Sequence, residues 1–274
     1  MKHIVPKTIK TFKTTFDFDD IKEEDIPKES KKIARDFLES DTYEDDYDIM
    51  VHTANNKATF GFDYLYKSER KFIPELDPSV IYFSSAQQFS EMIYHYKREL
   101  LINSFSLKDI ASKKPGQSLD DTVKQFQTFF QFASSYIIML SASLEAFVNK
   151  LIPIDYIYVT KDGKEKDIEW IHRQSIDFKT KKIIPDCTGK DYTVEYETKY
   201  QKVLAIKKFR NDLIHLTPKN EITNTKYKDF YRKVIDFKYS EAIHSIRDYI
   251  NYHEKNLIEE CNCGNKFCFD IVNK

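Results

Sequence analysis

The chain has 274 residues, 32% of them charged and 41% hydrophobic, with a formal net charge of -1. Its 21 Phe and 18 Tyr are more apolar side chain than a disordered chain carries, and its five glycines stand too far apart for a dinucleotide fingerprint, a P-loop or a kinase Gly-rich loop. No apolar run approaches the roughly 20 residues of a bilayer span. Neither an apolar signal core behind Met1 nor a disulfide framework among four cysteines is evident, so a cytoplasmic protein with no membrane partner is expected.

In chain order, Ile9 to Phe18 and Ala58 to Tyr66 alternate in strand fashion, with a short helix from Asp25 to about Leu38 between them. The acidic stretch Glu39 to Asp48 reads as a solvated loop, although Asp45, Asp46 and Asp48 are the right type for a metal. Ser84-Ser85 precedes a helical run from Ala86 to about Asn103. Lys114-Pro115-Gly116 marks a boundary near residue 117, which leaves residues 1–117 as a mixed α+β region suited to sensing or partner binding.

Beyond it, Ser118 can cap a long helix from Leu119 to Leu151, ended by Pro153. Tyr156 to Val159 and Asp167 to Trp170 flank the turn Lys161-Asp162-Gly163-Lys164 as a hairpin. A short helix from Ser175 to Ile184 stops before Pro185. A third helix runs from Glu195 to Leu216, ended by Pro218, and a fourth from Lys226 to Glu260. The expected fold is therefore mainly α: residues 118–274 form a helical bundle with an inserted β-hairpin. Charge is uneven, since residues 199–238 hold eleven Lys and Arg against four Asp and Glu, a segment suited to a polyanion.

Within that segment lies Phe209-Arg210-Asn211-Asp212-Leu213-Ile214-His215. On a helix Asn211 and His215 share one face, about 40° apart, and Arg210 reaches it from the flank. One helix end thus offers a cation, an amide and an imidazole, with Lys207, Lys208 and Lys219 near enough to hold phosphates. A shuffled chain of this composition contains Arg-Asn-x3-His only roughly 0.008 times, so the asparagine gives the match its value. A second pattern, Arg247-Asp248-x4-His253, sets Asp248 and His253 about 140° apart, which is not one face.

Arg-Asn-x3-His late in a helical bundle resembles the HEPN superfamily of ribonucleases. Ser143-Leu144-Glu145-Ala146-Phe147-Val148-Asn149-Lys150 is similar to the end of the opening helix in many members, and Lys181-Lys182-Ile183-Ile184 to the short helix that follows. The resemblance covers roughly residues 119–255. It implies a HEPN-like bundle and a metal-independent endoribonuclease with no cofactor. His215 would be the base on a ribose 2′-OH, Arg210 the cation on the phosphoryl oxygens, and Asn211 the group orienting the imidazole or holding a phosphate oxygen. Glu145 would be a supporting acid. The resemblance also implies RNA as partner and a homodimer sharing the site, in a toxin or anti-phage defence setting. The alternatives are a catalytically silent HEPN-like module that binds RNA or protein, and a toxin controlled by a separate antitoxin. Cys261, Cys263 and Cys268, with His253 upstream, offer four soft zinc ligands, but at a spacing unlike a standard finger; free thiols are the simpler reading.

Overall fold

A computed structural model describes residues 4–6, 12–13, 28, 32, 49–53, 57–111, 119–218 and 224–260. The chain divides into two compact units, Lys7–Asp77 and a larger one made of Met1–Pro6 with Pro78–Lys274. The protein is mainly α, as the composition and periodicity predict. Of the expected N-terminal elements, the acidic stretch and most of the first strand and first helix lie outside the described residues.

In the smaller unit β2 (Phe12–Lys13) and β3 (Ile49–Thr53) pair antiparallel with the long strand β4 (Lys57–Tyr66), which also pairs with β5 (Glu69–Pro74). Gly61 is required here: a Cβ would come within 2.3 Å of the Ile73 carbonyl oxygen and 2.6 Å of the Phe72 ring. Along β4, Phe60, Phe62, Tyr64 and Tyr66 alternate onto one exposed face.

The main run of the larger unit starts at Pro78, not near residue 117. Helix α1 (Pro78–Asn103) begins eight residues before the expected Ala86, with proline in its first turn. It packs antiparallel along α3 (Leu119–Lys150), which follows the short α2 (Leu107–Ala111). Tyr96 stacks on Phe132 at 5.4 Å near one end, and Ser143 Oγ donates to the Ser79 carbonyl at 2.7 Å near the other. The stripe Val80, Phe83, Ala86 and Ile93 thereby joins the core of the bundle, which is why the earlier boundary fails. Helix α3 is long and apolar enough by length and composition to cross a bilayer, yet Phe129, Tyr136, Ile137, Leu140, Leu144 and Phe147 are buried in this core.

The hairpin is smaller than expected. Only β6 (Tyr158–Val159) and β7 (Glu165–Lys166) pair, and Asp167 caps α4 (Ile168–His172) by accepting the Trp170 N–H at 2.8 Å. Ser175 then caps α5 (Ile176–Phe178), which continues into a π-helical turn over Lys179–Ile183 and α6 (Ile184–Thr188). The helix passes Pro185 because that residue opens an α segment just after π pairing, where a missing N–H is tolerated. It stops at Gly189, whose φ of 67° closes the end in the left-handed region.

Short α7 (Tyr192–Glu195) leads into α8 (Glu197–Ile214). The expected last helix is two, α9 (Lys228–Asp236) and α10 (Tyr239–His253), followed by β8 (Ile258–Glu260). Phe237 breaks it by turning extended and packing on Phe209 at 4.5 Å. The carbonyls left open at the end of α9 are answered from elsewhere in the bundle. Tyr239 OH donates to the Val234 carbonyl at 2.7 Å, and Lys97 Nζ donates to that of Ile235. Beyond α10, β8 turns back and pairs with β1 (Ile4–Pro6).

Candidate nucleic-acid interface

Helix α8 buries Tyr200, Val203, Ile206 and Phe209 at three-residue spacing. Phe209, set against Phe230 and Phe237, fixes the rotation of the last turn and directs the residues after it outward. Arg210 is half-buried and Asn211 exposed, and Arg210 Nη1 donates to Asn211 Oδ1 at 3.2 Å. Neighbouring Asp212 is committed to structure: Lys233 of α9 donates to it and lies over the Phe209 ring at 5.1 Å.

His215 is the residue after the last helical position, and the helix ends two residues short of the expected Leu216, because Thr217 stands before Pro218 and the chain must leave helical geometry. Its N–H still closes the last turn on the Asn211 carbonyl at 2.9 Å, so the exposed imidazole leaves the chain beside that turn. The structure does not join the ring to Asn211, whose amide oxygen is taken by Arg210. Among the described residues, neither Arg210 nor His215 forms an ion pair.

Lys207 lies one turn before Arg210 and is half-buried; Lys208 is exposed; Lys219 falls outside the described residues. Burial holds the Lys207 ammonium below its usual pKa. The charges of Asp177 and Glu145 oppose that shift and the charge of Arg210 adds to it. Glu145 is exposed on α3 and, among the described residues, bonds to none of Arg210, Asn211 and His215.

Lys179, which sequence reasoning missed, is fully buried. From the π-helical turn its Nζ donates to Asn149 Oδ1 and to the His172 carbonyl, each at 2.8 Å. Burial lowers its pKa, Glu145 raises it and Lys207 lowers it further. The sequence did carry a signal: Ile176, Lys179, Thr180 and Ile183 form an inward helical stripe with a lysine at an apolar position. Beside it, Thr180 Oγ1 and Tyr200 OH share a short buried hydrogen bond, and Tyr200 OH donates to Asp177 at 3.0 Å.

Comparison with protein-family models, with curated proteins and with solved structures finds no match.

The second Arg-to-His pattern is differently placed. Asp248 accepts Lys199 Nζ at 2.9 Å, while His253 packs among Tyr249, Tyr252 and Phe147 with both ring nitrogens buried and lacking a hydrogen-bond partner among the described residues. Burial, reinforced by the charge of Lys190, pushes the His253 pKa down to about 4. Cys261, Cys263 and Cys268 lie outside the described residues, as do Asp45, Asp46 and Asp48.

Proposed function

We propose that this chain is a HEPN-type endoribonuclease whose site is the end of α8. The observation that carries the reading is the state of Arg210: a guanidinium at the bundle surface, held in place by the Asn211 amide rather than by a carboxylate. Among the described residues this cation has no carboxylate partner, and an exposed imidazole follows it five residues on; such a pair suits an anionic substrate.

In this reading His215 takes the proton of a ribose 2′-OH and the 2′-oxygen attacks the adjacent phosphorus. The bond from phosphorus to the 5′-oxygen breaks, and that oxygen leaves with a proton from an acid. The products are a 2′,3′-cyclic phosphate and a 5′-OH end. Arg210 stabilises the charge that grows on the phosphoryl oxygens. Asn211 orients Arg210, a change from the expected partnership with the imidazole. DNA, lacking the 2′-OH, is not cleaved. A second copy of His215 across a homodimer would supply the acid, and growth arrest or defence is the setting consistent with such chemistry.

The test is incubation of purified protein with total RNA, with and without EDTA, beside His215→Ala and Arg210→Ala. Cleavage should survive the chelator and leave cyclic-phosphate ends, and each variant should be inactive with an unchanged circular dichroism spectrum. Activity retained in His215→Ala, or restored only by added magnesium, would refute the assignment.

A further inference from the structure

An antiparallel sheet with one buried face ordinarily turns apolar side chains inward and charges outward. The pairing of β4 with β5 reverses this. Asp63 and Arg70 form an ion pair at 3.6 Å with their side chains only 18% and 19% exposed. On the opposite face Phe62, Tyr64 and Tyr66 are 48%, 56% and 52% exposed. Ile73 and Lys71 of β5 stand across from Phe62 and Tyr64 and widen that face. Among the described residues, Phe62 and Tyr64 meet neither another ring nor a cation. Tyr66 does: Lys67 Nζ lies 5.2 Å from the centre of its ring. Lys67 and Ser68 hold the turn at φ of 49° and 66°, a conformation for which Asn-Gly is the favoured pair.

Charge decides what such a face can take. Residues 7–77, the smaller unit, hold twelve Lys and Arg against eighteen Asp and Glu. That excess repels the phosphates of nucleic acid and the anionic surface of a bilayer, and it attracts cations. Aromatic rings do the same at close range, because the π face is negative and draws a guanidinium or ammonium over it. In an extended chain, side chains two residues apart share a face at a repeat of about 6.8 Å, which is also the repeat of the rings along β4.

We infer that this face docks an extended segment of a partner protein with arginine or lysine at alternate positions, its cations stacked over Phe62, Tyr64 and Tyr66. Lys67 over Tyr66 is the same contact made within the chain. Arg210 and His215 play no part, so failure of this docking would leave the ribonuclease reading untouched.

Fluorescence anisotropy of a labelled decapeptide of alternating arginine and serine, titrated with the full chain, tests it. The peptide should bind, and the same peptide with glutamine for arginine should not. Phe62→Leu and Tyr64→Leu keep apolar surface but lose the π face, so each should weaken binding about twofold to fivefold. Tyr64→Trp, with the stronger π face, should tighten it by a similar factor. Leu65→Ala, on the other face, should bind as the unaltered chain does. Equal affinity in the two leucine variants would mean attraction by net charge alone and would overturn the docking face. So would binding of an oligouridylate or of phosphatidylserine vesicles that these variants abolish, which would assign the face to nucleic acid or to a membrane. A dimer in light scattering that Tyr64→Leu dissociates would assign it to a second copy instead. Should a leucine variant unfold by circular dichroism, Tyr64→Trp decides: no gain in affinity refutes the stacked cation.

Discussion

Arg210 and His215 lie in a turn whose inward side is closed by Phe209, so truncating either should cost little packing. His253 is the opposite case. Its ring fills a nest of Tyr249, Tyr252 and Phe147, where a charge is unwelcome, and its pKa falls from 6.5 to about 4. The unfolded chain therefore takes up this proton first as the pH drops. The stabilising contribution is full above pH 6.5 and is lost progressively down to about pH 4, amounting to at most about 3 kcal/mol. Urea titrations across that range should show the decline, and His253→Phe, which keeps the ring and removes the proton site, should flatten it. An unchanged pH profile in His253→Phe would show that other groups carry the dependence.

At the scale of elements, two interruptions of helical geometry shape the site. The π-helical turn brings Lys179 inward: the Ile184 N–H reaches the Lys179 carbonyl, five residues back, rather than the usual four. The run that contains it is then ended by Gly189, whose N–H bonds to the Pro185 carbonyl at 2.9 Å. Gly189→Ala should lower stability by about 1 kcal/mol in urea unfolding, because an L side chain is strained at positive φ, and Gly189→Asn should lower it by less. Equal stability of the alanine variant would mean that the end refolds into another cap. The second interruption, at Phe237, separates α9 from α10 and seats an aromatic ring beneath Phe209.

For the whole molecule, the expectation that matters is where the bundle begins. Because α1 packs along α3, a fragment starting at residue 118 leaves Phe132 without Phe89 and Tyr96, and Ser143 without its carbonyl acceptor. It should aggregate or melt without cooperativity. A fragment starting at residue 78 should keep a cooperative transition, at a lower temperature since β8 loses its partner β1. A cooperative fragment from 118 would show that α1 is dispensable. Assembly is tested separately, by mixing His215→Ala chains with Arg210→Ala chains. Regained RNA cleavage is expected if a two-fold pair combines residues of both chains. No regain, with subunit exchange confirmed, would mean a self-contained site.

The mainly helical class, the extent of α3 and the exposed end of α8 were all legible in the sequence, because each rests on local rules. The apolar stripe of α3 has the helical period, and Pro218 obliges the chain to leave α8 near His215. Tertiary structure alone decided the rest. Periodicity cannot say which stripe another stripe covers, so α1 read as part of another region until its packing on α3 placed it in the bundle. Nor can it foresee a break such as the one at Phe237, where the open carbonyls are answered by Tyr239 and by Lys97, far away in the chain. Lys179 belongs to the same class. A lysine in an inward stripe becomes a buried cation only where distant groups, Asn149 on one helix and the His172 carbonyl at the end of another, accept its protons.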